Sequence, residues 1–357
     1  DVTSGTESAV YATVGGGAGN TAAGLGATVA GGDQNTAEGR RPTIAGGVSN
    51  TATGTQPTIG GGFDNSAVGS RVTVAGGEFN DATSDYASIA GGTENQAFGY
   101  GSSIGGGERN RTGKSGTAKG TFGTVPGGEN VVAEGDHSLA AGRRAEALSP
   151  GSFVWGDSST STVQSSTTNE VVFQAGGGVV FWSSSDFNSN VQLKAGDSSW
   201  TAGSSRAIKS GVEPIDPDAI LEGVGDLDLS TWEYDARPGV RHLGPMAEQF
   251  HETFDLGDDP ERINTVDADG VALAAIQGLS ARLEAKDDRL DAQATRIDAQ
   301  ADRLDAQADR LEAQAHRLAS LEADNEALRD RLADVEARLP PRGREPTTAA
   351  GDETGTS

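Results

Sequence analysis

The sequence predicts a mainly β protein with a C-terminal α region: a stacked parallel β-coil, a β-neck, a small α+β domain and a long coiled coil. Three observations predict it. An asparagine recurs every fifteen residues, at Asn20, Asn35, Asn50, Asn65, Asn80, Asn95 and Asn110. The chain has 52 glycines and only 5% aromatic residues, too little apolar bulk for one large core. An apolar residue recurs every seven positions near the end, from Ile276 to Leu318.

Residues 1–150 carry the repeat. A β-branched residue stands six positions before each asparagine: Val14, Val29, Ile44, Ile59, Val74, Ile89, Ile104. A Gly-Gly pair lies between, as in Gly31-Gly32, and a small residue follows two positions after, as in Ala22, Ala37 and Ala52. A degenerate copy covers Val125 to Asn130, after an insertion around Lys114 to Gly120, and another ends near Ala145. Two glycine breaks leave room for two very short strands per unit, and no helical period is present. Stacked units form a parallel coil with rungs about 4.8 Å apart. The asparagines then form an amide ladder. One Val and one Ala per rung bury little at about 25 cal/mol per Å², so the residues predict a second apolar interface supplied by another chain.

The unit resembles the left-handed parallel β-roll of trimeric autotransporter adhesin heads, whose S-V-A-I-G and A-x-A-x-G segments have T-V-A-G-G and N-x-A-x-G as counterparts over roughly residues 8–148. The resemblance implies a trimeric β-roll serving as spacer, display surface or receptor-binder. Three other patterns are absorbed by the repeat. Gly107 to Ser115 resembles a phosphate-binding loop, with five residues between its glycines where the motif has four. Asn110-Arg111-Thr112 is a glycosylation sequon, but Asn110 is already a ladder position. The threonine column (Thr13, Thr28, Thr43) has the regularity of an ice-binding array, yet Thr is an ordinary exposed strand residue.

Residues 151–203 read as a β-neck joining three chains. Ser152–Asp157 and Glu170–Gln174 are predicted strands, and Gly176-Gly177-Gly178 before Val179–Trp182 is a hairpin signal. The concentration of aromatic residues also suits a carbohydrate platform.

Residues 204–275 carry the candidate chemistry. Ser204-Ser205-Arg206-Ala207-Ile208-Lys209 is followed by a short helix with Asp216 as N-cap and Pro217 in its first turn. A strand over Leu229–Tyr234 precedes Arg241-His242-Leu243-Gly244-Pro245-Met246-Ala247-Glu248, which leads into a helix bearing Phe250 and Phe254. Ile263–Val266 is read as a strand, and the Asp267–Gly270 turn as the start of the last helix. The succession resembles the intramolecular chaperone domain of endosialidase tailspikes, other phage fibres and some membrane-bound transcription factors. That family's pattern is S-D-x-x-L-K-x-x-I, then R-H-x-G-x-x-A-x-E, then V-D-x-x-x-L, and the match spans roughly residues 202–280. The resemblance implies a domain that trimerises the fibre and then cuts itself off with a Ser–Lys dyad. It places the nucleophile at Ser204, the base at Lys209 and the scissile bond at Gly203–Ser204. His242 and Glu248 match the second motif, His242 with a possible orienting part. The family's Asp after the serine is Ser205 here, a departure that bears on whether cleavage is retained. An uncleaved cap is the alternative.

Residues 276–339 read as a coiled coil. Ile276, Leu283, Leu290, Ile297, Leu304, Leu311 and Leu318 hold one core position, and Leu279, Lys286, Gln293, Gln300, Gln307, Gln314, Leu321 and Leu328 the other. Gln layers lower stability but fix register and strand number, in accord with a trimer and also open to a dimer, and Asn325 adds to register control. The helix is expected to stop at Pro340-Pro341, with residues 340–357 a disordered polar tail.

Cysteine is absent, so no disulfide or thiolate metal site forms, and no cofactor or metal is expected. No apolar run is long enough to span a bilayer. No signal peptide is legible; a start at Asp1 with Met246 as the one methionine fits a removed export signal or a trimmed chain. The formal net charge of −25 excludes nucleic acid and anionic lipid as partners. Acids spread along the chain favour high-salt adaptation over divalent-cation binding. The expected function is a homotrimeric fibre at a virion or cell surface, attaching to a host glycan or protein. The alternatives are an uncleaved adhesin or filament of a halophile and, last, a glycan-degrading tailspike, which would need a catalytic domain where the repeat stands.

Overall fold

In a computed structural model of the chain, residues 10–185, 187 and 189–339 are described. They fall into two compact units, Asp1–Ser210 and Gly211–Ser357. The predicted tail, 340–357, lies outside the described residues.

The first unit is a parallel β-solenoid. Each rung contributes a two- to five-residue strand to each of two sheets, such as Thr28–Val29 to the first and Thr36–Arg40 to the second. Register follows the repeat: Thr13 pairs with Thr28, Thr28 with Thr43, and Thr21 with Thr36. Ser103 instead pairs with Thr124, so the insertion bulges out as a loop and stacking resumes beyond it.

The asparagines form the ladder. Asn65 Nδ2 donates to Asn50 Oδ1 at 3.0 Å, to Gly61 O at 3.1 Å and to Gly77 O at 2.8 Å. Its own Oδ1 accepts from the backbone amide and Nδ2 of Asn80, each at 3.1 Å. Gly62 turns the chain beside it at φ +99°, and a Cβ there would sit 2.1 Å from Gly77 O and 2.7 Å from Asn65 Nδ2. The second glycine of each pair is therefore obligatory, both for its left-handed φ and for the room the ladder needs. Asn110 Nδ2 donates to Gly106 O and Gly128 O, which occupies the amide of the sequon. The residue in register with Asn110 on the next rung is Val131, not Asn130; its amide ends the ladder by donating to Asn110 Oδ1 at 3.0 Å.

From Val29 onward the Val/Ile column, and the whole Ala column, are fully buried as their spacing predicts, with Val14 of the first rung partly buried. A third column joins them: Ala27, Pro42, Pro57, Val72, Ala87 and Ser102, each two residues before the β-branched position. It runs through Ala, Pro, Val and Ser along the stack, which hid it from periodicity. With it, the repeat core closes within one chain, so the expected need for a second chain does not arise from the rungs themselves.

The neck reading is revised. Phe153–Gly156 and Val171–Gln174 are strands, but they stack in parallel on Leu139–Arg143 and extend the solenoid past residue 150. The hairpin does not cross the glycine triplet. Gly178–Trp182 pairs antiparallel with Asn190–Lys194, which pairs with Thr201–Ala202.

The second unit packs helix α1 (Pro217–Asp226) against helix α2 (Ala247–Phe254) and against helix α3 (Thr265–Arg338) near its start, and it holds a hairpin of Ser230–Glu233 and Arg241–Gly244. Asp216 caps α1 through the Asp218 amide. Gly278 lets α1 approach α3 closely, since a Cβ there would meet Pro217 O at 2.4 Å. Arg282 clasps the same pair through Asp218 at 2.8 Å and Glu222 at 2.7 Å. The expected strand at Ile263–Val266 is absent: Asn264 caps α3 through the Val266 amide, and Asp267–Gly270 lie inside its first turns, where Asp267 suits the helix dipole. Beyond α1, the heptad side chains are exposed, Leu283 at 53% and Leu304 at 64%, so α3 presents an unpartnered apolar stripe.

Asn65→Ala should cost about 2–4 kcal/mol, because it leaves buried amide and carbonyl groups of two neighbouring rungs without partners. Thr58→Ala, on the exposed face, should cost under about 0.5 kcal/mol. Urea midpoints of the two variants against the parent check the difference.

Candidate self-cleavage site

Strand Thr201–Ala202 delivers the chain to the site, and the Gly203 amide donates to Asn190 O at 3.4 Å, tying the residue before Ser204 to the sheet. Arg206–Ile208 then form one 3-10 turn. Ser205 is its N-cap: the hydroxyl accepts from the Ala207 amide at 3.3 Å. Lys209 closes it, its amide donating to Arg206 O. The turn reverses the chain over five residues and returns Lys209 Nζ to Ser204 Oγ, at 2.7 Å.

Ser204 and Lys209 are thus brought together. The spacing is wrong for one face of an α-helix, and the chain solves this with a tight turn. Both side chains are exposed in the single chain. Gly203 carries no side chain over its own carbonyl; a Cβ there would only touch Ile208 Cδ1, at 3.4 Å. His242 belongs to the second unit. It stands opposite Trp232 in the hairpin and stacks on its ring at 4.7 Å and 21°, with Tyr234 at 5.3 Å edge-on. Its ring contacts are therefore those of a packed aromatic cluster. Glu248 sits in the first turn of α2, where the helix dipole favours a carboxylate.

Ser205 is the residue whose part the sequence did not reveal. Its signal was present: a serine one position before a short turn is an ordinary cap, as is aspartate. At that position Ser205 makes a capping hydrogen bond of the kind an aspartate also makes. Among the described residues no cluster of His, Asp or Glu is arranged to hold a metal ion, and no helix is long and apolar enough to cross a membrane.

Residues 204–256 match the family model described as chaperone of endosialidase, Peptidase_S74. Over this segment the chain is similar to the endosialidase chaperone. The match begins at Ser204 itself and includes Lys209, His242 and Glu248. No curated protein matches the chain significantly. An endosialidase chaperone segment behind a parallel β-solenoid fits a protein of the phage tail-fibre type.

Loss of the Ser205 cap loosens the turn that sets the Ser204–Lys209 contact, by about 1 kcal/mol. For a chain that cuts itself at Gly203–Ser204, as its similarity to the endosialidase chaperone suggests, Ser205→Ala should slow the cut about fivefold, whereas Ser205→Asp should leave it unchanged. The loss of intact chain with time on a denaturing gel measures both.

Proposed function

We propose that this chain is the subunit of a homotrimeric attachment fibre, of tail-fibre or adhesin type, displayed at a virion or cell surface. In this reading the solenoid is the shaft and display surface, and its receptor is a host-surface glycan or protein. The segment from Ser204 onward is an intramolecular chaperone that drives trimerisation through α3 and then cuts itself away. The acidic composition supports a high-salt setting, where carboxylates remain hydrated and their repulsion is screened.

The observation that carries the proposal is the 2.7 Å contact between Lys209 Nζ and Ser204 Oγ at the first residue of the chaperone-like segment. In the proposed step Lys209, as the free amine, takes the Ser204 hydroxyl proton. Ser204 Oγ adds to the Gly203 carbonyl carbon, the Gly203–Ser204 C–N bond breaks, and the Ser204 nitrogen leaves as an amine that takes up the proton. Water then hydrolyses the Gly203 ester, releasing the Gly203 carboxyl group and restoring the Ser204 hydroxyl. A lysine acts as a base near neutral pH when desolvation disfavours its ammonium form. Lys209 is exposed in one chain, so assembly supplies the burial, and cleavage follows trimerisation. The exposed heptad stripe of α3 supports that order, since the helix buries its leucines only against other copies. The cut happens once per chain, and no external substrate is turned over.

Mass spectrometry of freshly made protein should find fragments 1–203 and 204–357, and Ser204→Ala should stay intact. Intact parent chain throughout would remove the peptidase from this reading. Light scattering on Ser204→Ala should give three chains per particle.

A further inference from the structure

The outer face of the first sheet changes character along the stack. Through the regular rungs its two outward columns are Thr43, Thr58, Thr73, Ser88 and Ser103, and beside them Ala45, Gly60, Ala75, Ala90 and Gly105. From Leu139 the same columns become apolar and large. Leu139, Phe153 and Val171 follow one another in the first; Ala141, Trp155 and Phe173 in the second. Val171 is 58% exposed, Phe173 52% and Trp155 38%. Beyond them, Val179 and Phe181 of the antiparallel sheet complete an apolar groove of about 380 Å³. Phe181 is 55% exposed, and the Trp200 ring packs on it at 5.7 Å and extends the apolar surface.

We infer that copies of this chain meet through this face, from Leu139 to Phe181, and that the threonine-lined rungs above it stay in solvent. The inference rests on the trimeric reading above and adds where the solenoids touch. Three physical arguments select a second copy as the occupant. Aromatic side chains each bury about 150–250 Å², so several half-exposed rings leave on the order of 300 Å² uncovered, a size that functional apolar patches reach. The rungs above do not need a partner, because their Ile, Ala and Asn columns are already at 0–2% exposure within one chain. Finally, residues 1–138 carry 13 Asp/Glu against 7 Lys/Arg and so repel their copies, whereas residues 139–210 carry 5 of each and do not. The stretch is poor in charge: from Leu139 to Phe181 the charged residues are Arg143, Arg144, Glu146, Asp157 and Glu170. The carboxylate of Asp157 is occupied locally, held below its ordinary range by the Gly176 and Ser159 amides. Like-charged chains approach most easily where charge is least and apolar area greatest.

The absence of cysteine makes the test direct. Single-cysteine variants of the full chain, on a Ser204→Ala background, carry Phe173→Cys, Val171→Cys or Thr58→Cys. Each is treated with a short bis-maleimide and, separately, with a bulky maleimide reporter, while light scattering gives the number of chains. Expected are three-chain particles in which Phe173→Cys and Val171→Cys become covalently linked and are protected from the reporter, while Thr58→Cys labels fully and does not link. Three-chain particles with all three cysteines labelled equally would overturn the inference and leave the trimer standing. So would linking at Thr58→Cys to the same extent, which would place the contact along the repeat. Quenching of the trimer's tryptophan fluorescence by soluble oligosaccharides, with Phe173→Cys unprotected, would assign the face to a glycan instead. A single chain by light scattering would sink the trimeric reading itself.

Discussion

The interaction on which the rest of the first unit depends is the buried amide ladder. An asparagine side chain has two donors and an acceptor, and a position fully out of water must satisfy them all. Here the Nδ2 of one rung reaches the Oδ1 of the previous rung and two glycine carbonyls. That pattern closes only if neighbouring rungs are in register to a single residue. A slip would strand several buried polar groups at about 1–3 kcal/mol each. The ladder therefore does for a chain of small residues what interdigitating side chains do in a larger core. It also dictates the glycines, since any Cβ at Gly62 or Gly77 would occupy the space of the amide it faces.

Where the ladder ends, the means of holding rungs together changes. Val131 takes the place of the next asparagine, and Val154 continues the buried apolar column. From there the outer columns gain Phe153, Trp155 and Phe173, with Phe153 and Phe173 in edge-to-face contact at 5.3 Å. Cohesion passes from hydrogen bonds inside a narrow coil to apolar contact on its outside. Apolar contact is not tied to one residue of register and does not need to be satisfied within one chain. This is the physical reason a solenoid that seals itself can still end in a surface suited to association.

The legible features were those that repeat or lie close in sequence. The fifteen-residue period gave strand positions and the ladder because each column keeps its residue type. The Pro42, Pro57 and Val72 column was not legible, because burial there tolerates any small residue. The continuation of the solenoid through Val171–Gln174 was also hidden: the spacing from Leu139 to Phe153 to Val171 is irregular, and the glycine triplet carries a stronger local hairpin signal than the pairing that wins. Ile263–Val266 has strand-like residues, but Asn264 as a cap commits the backbone to α3. Tertiary pairing and capping override propensity in both cases.

The Ser204–Lys209 contact was legible for the opposite reason, being contained in six residues and one turn. What local sequence cannot contain is the environment of the amine. A serine and a lysine in contact at a wet surface are only hydrogen-bonded; water competes for the proton and stabilises the ammonium form. Geometry is thus set by Ser205 and the 3-10 turn. In the proposed reading the rest is left to assembly: the exposed Ser204–Lys209 contact is aligned in one chain, and covering it couples the cut to trimerisation, so that an aligned pair coexists with an intact Gly203–Ser204 bond until the chains have met.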